Sequence, residues 1–193
     1  ILLSILTLGV IIVVTGVWLS GFYYSVLNYR ATLTDTLPPV PRSEGEQSTE
    51  VVLVIVSGLG NAALDSLELP SLTQIAQTGA RALVQSTPPT YSQTARMTLV
   101  TGAPPESNDA PPFDLPIETL WLIEADTIFA RAHQSELRTA LVGQADWRYL
   151  LPAGQLDESF FVDGSSRETD NLVFENALLM LNEGRFDLFV IHF

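Results

Sequence analysis

The chain has no cysteine and no lysine, and its only histidines are His133 and His192. Without Cys there is no disulfide framework, zinc ribbon, iron–sulfur cluster or thiol nucleophile. Without Lys there is no P-loop and no Schiff base. Two His cannot supply a His-rich metal site. Positive charge is scarce: nine basic residues, all Arg, face 22 Asp and Glu in 193 residues, a formal net charge of −13. Such a chain does not neutralise phosphates, so nucleic acid is excluded as a partner. Charge of either sign is missing from the first 29 residues. That local apolarity accounts for a mean hydropathy of +0.26. Residues 31–193 hold 8 Arg and 22 acids, a net −14, in a length that suits one domain with a real core.

Residues 1–28 read ILLSILTLGVIIVVTGVWLSGFYYSVLN. A membrane-spanning helix needs ~20 apolar residues, and this stretch exceeds that. Trp18, Tyr23, Tyr24 and Tyr29 cluster toward its C-terminal end, where aromatic rings favour the headgroup level and Arg30 can reach it by snorkelling. A cleaved signal peptide would have an apolar core of only ~7–15 residues before a small-residue cleavage site. The anchor reading fits better. Gly9, Gly16 and Ser20 give the helix a small-residue face, compatible with docking on other membrane helices. The expected partners of residues 1–28 are therefore membrane lipid and other integral membrane subunits. The expectation is a single-pass protein with its soluble domain on the extracytoplasmic side. The chain opens on Ile rather than Met, so an earlier segment is expected, and the positive-inside rule has one flank to act on.

Three segments follow from this: a transmembrane anchor at 1–30, a Pro-containing linker at 31–50, and an α/β domain at 51–193. The linker carries Pro38, Pro39 and Pro41, then a polar stretch with no apolar period. In the domain, the apolar, β-branched run at 51–56 reads as a strand buried on both faces. Pro70 starts a helix that Gly79 ends. Residues 82–84 read as a short strand. Ser92 caps a helix running to Val100, closed by Gly102. A helix at 125–133, a strand at 138–142, a helix at 169–183 and a strand at 187–192 complete the pattern. Asp163-Gly164, after Phe-Phe-Val, reads as another strand-end turn. The fold class is α/β: an N-terminal transmembrane helix, then a mostly parallel β-sheet flanked by helices.

In such a sheet, sites form beyond the carboxyl ends of the strands. Three places qualify: Ser57-Gly58-Leu59-Gly60, Pro89-Thr90-Tyr91-Ser92, and whatever follows His192. The segments VVLVIVSGLG (51–60), LPSLTQIAQTGARA (69–82), PTYSQTARMTLVTGAPPES (89–107) and FDLFVIHF (186–193) occur in that order. Together they resemble the alkaline phosphatase superfamily, especially its type I phosphodiesterase/nucleotide pyrophosphatase branch. The resemblance covers about 51–193 and implies an incomplete alkaline phosphatase-like domain continuing past Phe193. It puts the nucleophile position at Ser92, so Ser92 is the candidate catalytic residue. It puts a metal-binding Asp where this chain has Ser57, a degenerate ligand position expected not to bind. Ala95 stands where the family often has Asn. His192 precedes the family's further ligands rather than being one.

A two-metal site holds cations ~3.5–4 Å apart to stabilise the attacking and leaving oxygens. The nucleophilic hydroxyl is weak until a metal lowers its pKa. Ser57 replaces an anionic ligand with a neutral one. Arg96 could bind phosphate or face solvent. His192 reads as a satisfied strand-end histidine and His133 as a surface residue. Asp109 and Asp114 lie in a loop without an assignable partner. Trp121, Trp147 and Tyr149 read as core or interface anchors. Two functions remain. In the first, the chain is a membrane-anchored, catalytically inactive phosphodiesterase-like domain with no cofactor. It would serve as an accessory subunit of a larger membrane complex, for instance in electron transport. In the second, it is a metal-dependent phosphodiesterase or nucleotide pyrophosphatase. Ser92 would then be the nucleophile, with two Zn or Mn ions and further ligands beyond Phe193. A last expectation concerns 187–193: a sheet cut there leaves its final strand as an apolar edge, to be covered by further chain or a partner.

Overall fold

The computed structural model describes residues 2–30 and 50–193. Apart from Glu50, the linker at 31–50 lies outside the described residues. The uncharged N-terminal run forms one helix, α1 (Leu2–Leu27). It is long and apolar enough to cross a membrane, and none of it is buried against the rest of the chain. At ~1.5 Å per residue its 26 residues extend about 39 Å. The Thr7 and Ser20 hydroxyls donate to the carbonyls of Leu3 and Gly16, both at 2.9 Å. Hydroxyls bonded this way do not present unsatisfied donors to lipid.

The domain is built on four parallel strands: β1 (Val51–Ile55), β2 (Thr139–Gln144), β3 (Glu158–Val162) and β4 (Leu188–His192). Their order is β1-β4-β2-β3. Alternate residues of the central strands point to opposite faces. Leu141 and Val190 enter one core with Met97, Val100, Phe129 and Trp147. Ala140, Val142, Phe189 and Ile191 enter a second with Val173 and Ala177. The first face is covered by α4 (Ser92–Thr101), α5 (Ile128–Gln134) and α6 (Asp146–Leu150), the second by α7 (Arg167–Glu183). Two further helices, α2 (Asn61–Ser66) and α3 (Pro70–Thr78), lie between β1 and α4 in sequence.

Helix boundaries follow local chemistry. Proline opens α3 and Gly79 ends it. Thr127 caps α5 by accepting from the Ala130 N–H at 3.0 Å. A reciprocal capping box of Ser166 and Thr169 starts α7, two residues before the expected Thr169. Gly102 closes α4 at φ 66°, a left-handed conformation that glycine adopts without strain.

Three expectations are corrected. Residues 82–84 are not a strand, and Leu83 and Val84 are 81% and 83% exposed. A three-residue apolar run holds extended form only against a paired neighbour, and these residues have none among the described residues. The strand β1 is not buried on both faces: Val51, Val52 and Val54 remain about half exposed. It lies at the end of the sheet, with a strand on one side only among the described residues. Conversely β4 is no edge. It sits between β1 and β2, with Val190 fully buried. The return through α7 inserts the last strand into the middle of the sheet, so no partner is needed to cover it.

Candidate functional site

The register of β1 on β4 places Ile55 beside His192. The ladder continues past both strands, with the Ser57 N–H donating to the Phe193 carbonyl at 3.0 Å. This brings Ser57, 135 residues away in sequence, onto the imidazole: Ser57 Oγ lies 2.8 Å from His192 Nε2. On the other side of the ring, the Trp147 indole N–H points at His192 Nδ1 from 3.0 Å. An indole nitrogen can only donate. Nδ1 must therefore accept, so in the neutral ring the proton sits on Nε2 and is donated to Ser57 Oγ. This tautomer has a chemical consequence. His192 cannot take the Ser57 proton, and its Nε2 has no lone pair for a cation. The pair therefore has the residues of a nucleophile and its base, with the proton on the wrong atom.

His192 is 1% exposed. Burial, and after it the nearby Arg96 guanidinium, lower its pKa to about 4. Gly143 makes the burial tight: a Cβ there would lie 3.0 Å from the His192 Cβ. The sign of the pH effect follows. The folded state disfavours the charged ring, so this contribution is fully present above the unfolded value near 6.5. As pH falls from there toward about 4, the unfolded chain binds a proton that the folded chain refuses. Stability should drop by up to about 1.4 kcal/mol per pH unit across that window from this residue alone. Urea unfolding at steps from pH 7 to 4.5 should show a shallower pH dependence in His192→Gln than in the parent. Parallel curves would refute the buried neutral ring.

Ser92 occupies a different place. It is the first residue of α4, not its cap, which is Tyr91 with no side-chain capping bond. Ser92 is exposed, and its hydroxyl has no hydrogen-bond partner among the described residues. The capping is done from a distance: Asp114 Oδ1 accepts from the Gln93 N–H at 2.9 Å. An anion at this position is favoured by the helix dipole and the free N–H groups. Here the anion is the chain's own carboxylate. The Gln93 side chain ties the same loop down, accepting from the Leu115 N–H and donating to its carbonyl, both at 2.9 Å.

Arg96 does not face solvent. It is 5% exposed, pairs with Asp146 and donates to Gln144 Oε1 at 2.6 Å. Nearby, a cavity of about 250 Å³ at the ends of β2 and β3 is lined by Gln93, Gln144, Asp146, Asp163 and Ser165. Asp109 is 5% exposed, and burial raises its carboxyl pKa. Trp147 is a core anchor, Trp121 is half-buried, and Tyr149 is 39% exposed rather than core. The structure thus unites Ser57 with His192 and Trp147 but leaves Ser92 outside that chain of bonds. Among the described residues, no three His, Asp or Glu side chains gather where a cation could sit.

Residues 51–109 match the family described as type I phosphodiesterase / nucleotide pyrophosphatase. The fold is similar to that of phosphonoacetate hydrolase from Sinorhizobium meliloti 1021, solved in complex with phosphonoacetate. The TM-score is 0.57 at 18% identity, over 75% of this chain and 46% of that one. The chain thus spans just under half the length of that hydrolase. No curated protein matches it. Residues 51–193 form an α/β domain similar to an alkaline phosphatase-like fold, and its first segment, 51–109, matches the type I phosphodiesterase / nucleotide pyrophosphatase family.

Proposed function

We propose that the chain is a membrane-anchored phosphodiesterase-like domain that does not hydrolyse phosphoric esters and acts as an accessory subunit of a larger membrane assembly, on the extracytoplasmic side. One observation carries the inactive reading: Ser57, at the position of the first metal ligand, accepts the His192 Nε2 proton at 2.8 Å. The two divalent cations of the family need anionic oxygens and free imidazole lone pairs. The residues present offer a neutral hydroxyl already engaged, a locked imidazole, and a carboxylate, Asp114, spent on a helix start. This donor set does not fit the metals. The accessory role is supported by the exposed apolar surface on β1 and by α1, none of whose apolar residues is buried against the described residues.

The test is hydrolysis of bis-p-nitrophenyl phosphate by the detergent-solubilised chain with added Zn²⁺ or Mn²⁺. The expected result is no metal-dependent turnover above background, and no difference between the parent and Ser92→Ala. Turnover that needs metal and disappears in Ser92→Ala would establish the opposite reading, with Ser92 as nucleophile. Native gels after mild solubilisation address the assembly. The chain is expected in a larger complex, and migration as a lone species would remove the accessory role.

A further inference from the structure

The end of α1 does not hang free of the domain. Tyr29, two residues past the helix, lines a cavity of about 210 Å³ with Pro88, Pro89, Thr94 and Pro111. Arg30 lies over Trp121, its guanidinium carbon 3.7 Å from the ring centroid, and reaches to 3.9 Å from the Asp109 carboxylate. The receiving groups hold each other in place. The Trp121 indole N–H donates to the Asp109 carbonyl at 3.0 Å, and Asp109 stands in the left-handed region at φ 57°. An aromatic face beside a carboxylate is a fitted seat for a guanidinium.

We propose that Arg30 latches the domain onto the bilayer, so that the face carrying Pro88, Pro89, the 105–121 loop and the first turn of α4 rests on the headgroup layer. The proposal depends on α1 spanning the membrane. Arg30 is three residues from Leu27, at most about 11 Å of extended chain, comparable to the headgroup region outside the ~30 Å hydrocarbon core. A flexible spacer of the length of 31–50 would instead let the domain wander about 25 Å from the anchor. The latched face also bears the exposed Glu106, Asp114 and Glu118, so the layer it fits is zwitterionic rather than anionic.

The absence of cysteine allows a direct test on the full chain in phosphatidylcholine vesicles. A single cysteine is introduced at exposed Glu106, which lines the Tyr29 cavity, or at exposed Glu175 on α7, and carries an environment-sensitive fluorophore. A lipid bearing a shallow nitroxide quenches it. The label at 106 should be quenched severalfold more than that at 175. Arg30→Ala should bring the two to the same low level, and Arg30→Lys, which keeps the cation, should retain most of the difference. Equal quenching at both sites in the parent, or a difference untouched by Arg30→Ala, overturns the latch while leaving the anchor standing. A chain that does not float with the vesicles overturns the anchor and the latch with it.

Discussion

The Trp147→Ala variant is expected to lose about 3–5 kcal/mol of unfolding free energy, the range for deleting a large buried aromatic. Trp147 is fully buried in the core between the sheet and α4 to α6. Truncation removes that packing and leaves a void that the surrounding helices fill only in part. It also removes the donor to His192 Nδ1, stranding a buried acceptor. Trp147→Phe separates the two losses. It keeps an aromatic ring near the T-shaped contact with His192, at 5.9 Å between centroids, but cannot donate. Its expected cost is about 1–3 kcal/mol, the penalty of an unsatisfied buried group. Nitrogen NMR of the imidazole is the accompanying readout. In the parent, Nδ1 should be the unprotonated nitrogen and Nε2 the protonated one. In Trp147→Phe nothing holds that choice, and a mixture of tautomers should appear. A Trp147→Phe protein with an unchanged single tautomer would mean that Ser57, not Trp147, decides where the proton sits.

Much of the fold was legible because it is written locally. The β-branched runs that became β1 and β4 are recognisable from six or fewer residues. Pro70, Gly79, Gly102 and Gly184 mark ends that need only their immediate neighbours. What was not legible depends on tertiary placement. The apolar run at 51–56 reads as buried on both faces and the one at 187–193 as an edge, yet β1 is the edge and β4 is central. Nothing in five apolar residues tells which strand the chain will return to and insert beside. The helix α6 escaped notice because it is a single short turn, Asp146–Leu150, with no room for a period.

The site divides the same way. The motif at 89–107 put the start of α4 within one residue, with Ser92 inside the helix rather than capping it, since a helix start and its preceding loop are contiguous. The roles around it were not readable. Asp114 caps α4 at Gln93 from 21 residues away, and Ser57 meets His192, 135 residues on, through the pairing of β1 with β4. The tautomer of His192 depends on a third residue from yet another element. With two histidines in the chain and His192 the buried one, any second use of that ring competes with the first.

Breaking the Arg96–Asp146 pair by Arg96→Ala is expected to cost about 3–5 kcal/mol, the range for leaving one member of a buried pair uncompensated. The side chains are 6% and 14% exposed, so water cannot substitute for the lost partner as it would at the surface. The remaining carboxylate would be worse placed than most, because Asp146 Oδ1 is buried with no hydrogen-bond partner among the described residues. Gln144 Oε1 would lose its donor as well. A buried ion pair is nonetheless weak evidence of net stabilisation, since two apolar residues of similar volume often serve as well. The double variant Arg96→Met with Asp146→Leu is therefore expected to recover most of the loss. Denaturant unfolding of the parent, both single variants and the double variant closes the cycle. A single-variant cost below about 1 kcal/mol would assign the pair the value of a surface ion pair. A double variant no more stable than Arg96→Ala would show that the guanidinium contributes through Gln144 and the Trp147 ring, 5.8 Å from its carbon, rather than through its charge partner.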